Sequence, residues 1–433
     1  MANTFHLLAA VSCLTLVAAY WGPDLPPGPY CGRTNECCSD RRDSCAHRIL
    51  DTLCYCDQFC NHTASHDDCC PDYPEVCLGR RPEEVPVPLK QPCRHRGQLF
   101  MPGAVRMEDC NSCECVEGQD GLTTWVCQSD PCLVSGEVLA RVQQRGGSWR
   151  AYNYTQFQGK KLKDGLVYYL GTLPLSRETQ RMGAIRYNKE PDYPAHFDSR
   201  SRWPRYISPA RDQGWCGADW AVTLADVVSD RFAIQSNGAE TLALSPQVFL
   251  SCNRRGQQGC RGGHIDVAWS FAKSHGLVDE ECLPYVANVT RCPFRPRHDL
   301  VQDGCRPRNP QRTSRYKVGP PSRLKREEDI MYDIMESGPV QAILTVHQDF
   351  FHYRDGIYRR SHYGDNKLQG LHAVRIVGWG EDQGDKYWIV ANSWGPEWGE
   401  NGFFRIARGV NESGIESFVV TVLVEVIEAN RRK

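Results

Sequence analysis

Residues 213–222 read QGWCGADWAV and set an acid, Asp219, at the head of a stretch whose apolar residues return with a helical period. A helix is expected to begin near Cys216, with Trp220, Leu224, Val227, Val228, Phe232 and Ala233 on its apolar face. The positive end of a helix dipole favours an anion, so a carboxylate is at home there. A carboxylate can serve as a nucleophile. Against a peptide bond, however, it would form an anhydride, far higher in energy than the thioester made by a cysteine, and the expected turnover is negligible. Two further polar residues stand in patterned surroundings: His372, ahead of the β-type run in LHAVRIVGWG, and Asn392, in YWIVANSWGPEWGENGFFRI. A histidine beside a strand is, by itself, more often structural than catalytic.

The elements that must position these groups belong to a longer design. A chain of 433 residues exceeds what one core usually organises. Lys plus Arg (51) nearly balances Asp plus Glu (52), which leaves no global field to recruit nucleic acid or an anionic membrane. Met1–Ala19 carries an apolar run from Leu7 to Val17 followed by small residues, and is read as a signal peptide of a secreted protein. No later run is long enough to span a bilayer. Of 23 cysteines, 22 lie beyond that signal, an even number suited to an oxidising compartment. Ten fall within 31–77, six within 93–132 and six between Cys216 and Cys305. The first block is too short and polar to bury much core, so cross-links must replace packing. SHDDCC within it is read as a disulfide loop with an acidic surface, and no metal or other cofactor is expected. A Pro-rich spacer covers 80–92. Asn61, Asn153, Asn288 and Asn411 are N-glycosylation acceptors by pattern.

Several of these stretches resemble known modules. CYCDQFCNHTASHDDCCPDYPEVC (54–77) resembles a somatomedin B module, assigned to 31–79, and the cysteine pattern of 93–132 resembles a von Willebrand C-type module. Residues 133–193, with SWRAYNYTQFQGKKLKDGLVYYLGTL, resemble a cathepsin B-type propeptide. From PAHFDSRSRWP to the C-terminus, 194–433, the chain resembles the papain-like proteases. That resemblance implies an α+β fold with a helical left lobe and a β-barrel right lobe. It also implies roles: nucleophile position at Asp219, base at His372, orienting amide at Asn392 shielded by Trp394, and oxyanion donor at Gln213. Cys216 and Cys260 resemble the pair that ties the nucleophile helix to the substrate wall, where Gly262 and Gly263 would let an extended peptide approach. Cys252, Cys282, Cys292 and Cys305 leave three pairings open. The stretch matching the occluding loop holds only His298, against the His pair of the cathepsin B type, which argues against carboxydipeptidase trimming.

The whole order of modules is similar to the tubulointerstitial nephritis antigen family, matrix-associated pseudoproteases; an invertebrate member of the secreted Wingless-interacting kind would share it. Family members typically have Ser at the nucleophile position, and Asp219 departs from that. The resemblance implies an extracellular matrix or ligand-binding adaptor without catalysis, with matrix proteins, a glycosaminoglycan or a secreted signalling ligand as partners. Two readings of Asp219 stand: a closed charge pair with His372, or an acid left pointing to water. A decoy for protease substrates or inhibitors and a residual hydrolase are the alternatives. Eleven basic residues between 291 and 326, namely Arg291, Arg295, Arg297, Arg306, Arg308, Arg312, Arg315, Lys317, Arg323, Lys325 and Arg326, face two acids. That local excess makes the stretch a candidate site for acidic glycans.

Overall fold

The computed structural model describes residues 29–427 except 35, 50–51, 62–67, 80–90, 119–120, 189–191, 296–297, 308 and 362–367. The signal peptide and most of the Pro-rich spacer, with His66 and Asp67, lie outside the described residues. Two compact units divide between Lys90 and Gln91.

The first unit is built on cystine. Five disulfides, Cys31–Cys56, Cys37–Cys77, Cys38–Cys45, Cys54–Cys70 and Cys60–Cys69, fall within 47 residues. Among the described residues its buried apolar side chains are six cysteines, Ile49 and Tyr73, so cross-links do the work of an apolar core here. Asp72 accepts the backbone N–H of Tyr30, Cys31 and Gly32, fixing the start of the short helix Cys31–Thr34.

The second unit opens with another cystine-rich stretch, where Cys93–Cys115, Cys110–Cys132 and Cys113–Cys127 staple a hairpin and a three-stranded sheet. After it, the helix Gly136–Arg145 is capped by Ser135 Oγ, which accepts from Val138 N. The helical lobe is then centred on Asp219–Gln235. This helix begins three residues later than the sequence suggested, because Cys216 and Gly217 are held against Cys260 by a disulfide and by the Gly217 N–H to Cys260 O bond. Nor is it amphipathic. Asp219 through Ile234 are all buried, since helices Gln247–Cys252 and Ile265–Ser274 cover one side and the sheet covers the other. Its charges survive burial by pairing: Asp226 with Arg211, Asp230 with Arg375, and Arg231 with Asp333 and three backbone carbonyls.

The other lobe is a ten-stranded sheet. Its ordered path runs Trp149–Ala151, Tyr353–Tyr358, Phe403–Ala407, Asp385–Ala391, Leu368–Asp382, Val340–His347, Val419–Thr421, Ser322–Leu324 and Ala184–Ile185, while Phe197–Asp198 pairs with Leu368–Asp382 off the path. Both terminal strands of that path come from the segment 133–193. The aromatic residues of the segment enter the same core as the lobe: Phe157 is fully buried, with ring centroids 5.5 Å from Phe351 and 5.7 Å from Trp394.

One histidine couples this packing to pH. His352 is buried where strand Trp149–Ala151 docks, its Nδ1 3.2 Å from the Tyr152 carbonyl, and burial pushes its pKa down to about 4. The unfolded chain binds that proton with an ordinary value near 6.5, so the contribution is complete above about pH 6.5 and is lost as pH falls toward 4. The loss approaches about 3 kcal/mol. His352→Phe should therefore narrow the difference in Tm between pH 7 and pH 4; an unchanged difference would remove His352 from the account.

Candidate active site

Two lobes bring four residues from three stretches of the chain together, and each arrives by a local rule. Asp219 is the first residue of the buried helix. His372 lies on strand Leu368–Asp382, opposite Leu344. Asn392 follows strand Asp385–Ala391, fixed by its own N–H to the Gly402 carbonyl. Gln213 is anchored to Ser393 by backbone and side chain: its N–H donates to Ser393 O at 2.8 Å and its Oε1 accepts from Ser393 Oγ at 2.6 Å.

The four are enclosed, with Gln213, Asp219 and His372 at 0% exposure and Asn392 at 3%. His372 Nε2 is 2.7 Å from Asn392 Oδ1, which also accepts the Ser393 N–H at 2.8 Å. Since Asn392 Oδ1 is an acceptor, Nε2 must carry the proton. The other ring nitrogen, Nδ1, lies 3.1 Å from Asp219 Oδ2. That same oxygen accepts from the Thr172 hydroxyl at 2.7 Å and the Ala373 N–H at 2.8 Å. The Nδ1 contact is one of proximity, while the two donated hydrogen bonds to Oδ2 come from Thr172 and Ala373. Of the two readings of Asp219, the geometry excludes the acid left pointing to water: the carboxylate is enclosed beside the imidazole. Trp394, 5.0 Å from the imidazole ring, covers the pair as expected.

The cleft holds the chain's own residues. Thr172 bridges both walls, pairing with Gly263 on one side and Leu371 on the other. Gly263 N donates to Gly171 O at 2.9 Å, and Leu173 N donates to Gly263 O at 3.0 Å. Gly171 is there because nothing larger fits: a Cβ would lie 1.9 Å from Gly217 O and 2.5 Å from Asp219 Oδ1. Gln213 Nε2, the expected oxyanion donor, is turned to Cys216 O at 2.9 Å and Tyr168 O at 3.1 Å. At the mouth, Trp215 is covered by the Tyr168 ring at 4.6 Å and by Lys160 Nζ at 4.0 Å.

The structure also places the remaining candidates. Cys216–Cys260 is bonded, and the open set resolves as Cys252–Cys292 and Cys282–Cys305. Among the described residues, part of the basic stretch is engaged within the fold. Arg312 is buried against Glu240, Arg315 pairs with Asp303, Arg326 pairs with Asp329, and Arg323 donates to Gln180 O and Ser417 O. Arg291, Arg295, Arg306 and Lys325 are exposed and Lys317 is half-buried, while Arg297 and Arg308 lie outside the described residues. Among the acceptors, Asn288 is exposed, Asn153 is half-buried, and Asn411 spends its Nδ2 on Ser417 Oγ at 2.9 Å. The side chain of Asn61 is outside the described set. Thr172, Gly171 and Tyr168 are not singled out by the sequence, although YYLGTL lies within the stretch that resembles a propeptide.

A helix N-terminus facing a His–Asn pair across a two-lobed cleft is the arrangement of a papain-type protease domain, and residues 193–423 match the model of the papain family of cysteine proteases. A solved structure described as procathepsin B S9 from Trypanosoma congolense is similar, with a TM-score of 0.57 and 29% identity, covering 68% of this chain and 99% of that one. Similarity to curated proteins extends further along the chain. A tubulointerstitial nephritis antigen-like protein of Mus musculus is 38% identical over 96% of this chain and 95% of its own length. The human tubulointerstitial nephritis antigen is 41% identical over 91% of this chain and 86% of its own. This chain belongs to the tubulointerstitial nephritis antigen family, within the papain-like proteins.

Proposed function

We propose that the protein is a secreted, non-catalytic papain homologue that acts as an extracellular adaptor. The observation that carries this reading is Asp219, a carboxyl side chain held by Thr172 and Ala373 and set beside His372 where the chemistry requires a free thiolate. A carboxylate holding three contacts cannot attack a carbonyl, and the anhydride it would form is too high in energy to accumulate. The cystine-rich stretches 31–79 and 93–132, read as somatomedin B-like and von Willebrand C-like, then carry binding to matrix proteins or to a secreted signalling ligand. The decoy reading is weakened because the cleft already holds residues 171–173. Absence of any membrane-crossing helix among the described residues is compatible with secretion.

The acidic-glycan proposal narrows to Arg291, Arg295, Arg306 and Lys325, the basic residues of that stretch that are exposed. One experiment tests both parts. The purified protein, presented with peptide substrates from acidic to neutral pH, should show no turnover, and the same preparation should be retained on heparin. Neutralising Arg291, Arg295 and Arg306 together should lower the salt needed for elution without changing Tm. Turnover abolished by His372→Ala would refute the non-catalytic reading; unaltered elution would discard this stretch as the glycan site.

A further inference from the structure

We infer that Asp219 is a hydroxyl-binding site whose resident ligand is this chain's Thr172, and that residues 133–188 are a permanent part of the fold. The inference rests on the non-catalytic reading and goes beyond it, since an inert site need be neither filled nor connected. Three independent sets of contacts carry it.

The first is the bond itself. Thr172 is 4% exposed, and its hydroxyl donates to a carboxylate oxygen at 2.7 Å inside a closed cleft. A thiol at position 219 could not accept hydrogen bonds with comparable strength; an ionised oxygen makes the pairing charge-assisted. Gly171 allows the approach, because its Cα side faces Gly217 O and Asp219 Oδ1 with no room for a side chain.

The second set lies at one end of the sheet. Strand Trp149–Ala151 pairs antiparallel with Tyr353–Tyr358, Trp149 Nε1 donates to Arg359 O, and Tyr154 OH donates to Tyr353 O at 2.8 Å while accepting Gly399 N–H. The third set lies at the other end. Strand Ala184–Ile185 pairs parallel with Ser322–Leu324, Tyr187 OH donates to Asp333 Oδ2 at 2.7 Å, and the Tyr187 N–H donates to Asp329 Oδ1 at 2.9 Å. The segment thus closes both edges of the sheet and crosses the cleft between them. Stripping it would bare two rows of unpaired backbone groups as well as the aromatic core around Phe157.

No disulfide joins the segment to the protease-like part, since every bridge lies within 31–77, 93–132 or 216–305. A specific protease site introduced between Asn188 and Asp192 therefore leaves only non-covalent contacts to hold the pieces. After cleavage the two fragments should co-elute in size-exclusion chromatography at neutral pH. Thr172→Ser should behave as the parent. Thr172→Val, which keeps the shape and removes the donor, should speed fragment dissociation at least about tenfold, the worth of one hydrogen bond to a charged partner. Prompt separation of the parent fragments, or equal dissociation of the Val and Ser variants, would overturn the inference. Both readouts are independent of catalysis: turnover in the uncut protein would refute the inert reading and leave the docking result standing.

Discussion

Asp219→Cys alone is expected to remain silent, and Asp219→Cys combined with Gly171→Ala is expected to hydrolyse peptides. The single substitution supplies a thiol at the head of the buried helix, beside an imidazole already oriented by Asn392 at 2.7 Å. It leaves Thr172 across the cleft and Tyr168 O on the oxyanion donor. Alanine at 171 displaces the cleft-crossing residues 168–173, because its Cβ would sit 1.9 Å from Gly217 O, while the strands at both sheet edges keep the rest of the segment docked. Gln213 Nε2 then loses Tyr168 O and can turn to an oxyanion. Loss of a nucleophile in a matched site costs on the order of 10⁶ in kcat, so even a poorly aligned revertant should exceed the parent by about 10³. His372→Ala in the double variant should return it to silence. Activity in Asp219→Cys alone would mean the segment leaves the cleft readily; a folded but inert double variant would mean that the site has drifted beyond repair by its nucleophile.

The second large effect concerns stability. Arg312 and Glu240 form a bidentate pair at 2.5 and 2.9 Å, with side-chain exposures of 1% and 0%. The guanidinium also donates to Glu425 O at 2.8 Å and lies over Tyr316 at 4.4 Å. Glu240→Ala would leave a buried cation unpaired, at a cost of about 3–5 kcal/mol. For a domain of this size that lowers Tm by roughly 10 °C. Glu240→Ala with Arg312→Met removes both charges and should recover most of the loss. A Tm for Glu240→Ala within a degree or two of the parent would show that the pair contributes little. The point bears on ligand mapping: Arg312→Ala would also reduce heparin retention, by unfolding rather than by loss of a contact.

These two cases mark what was legible in the sequence. The quartet Gln213, Asp219, His372 and Asn392 was readable through the resemblance to papain-like proteases, carried by short local segments, and the structure gathers all four. The partner of Asp219 was not, because Thr172 lies 47 positions upstream and only tertiary packing sets them together. Counting charges overestimated the basic stretch for the same reason. Net charge records neither the burial of Arg312 nor the carbonyls that absorb Arg323. Helix periodicity identified Trp220, Leu224 and Phe232 as core, yet it could not foresee that the opposite face, with Asp226, Asp230 and Arg231, is covered too. Disulfide pairing among Cys252, Cys282, Cys292 and Cys305 needed coordinates, since cysteine spacing allows every combination.

The backbone of 133–193 is the sole covalent path from the cystine-rich stretches to the protease-like part. An enzyme of this layout that trimmed itself to its catalytic domain would discard everything upstream of the cut. Under the non-catalytic reading proposed above no such trimming is self-inflicted, and one uncut molecule keeps its N-terminal surfaces and its papain-like surface in fixed proportion. If both engage the same matrix, the second attachment is intramolecular, at an effective concentration set by the spacer, and reaches the millimolar range for short linkers. Two weak contacts can then hold where either alone would let go. On that reading a carboxylate where a papain-type enzyme has sulfur acts on valency as well as on chemistry.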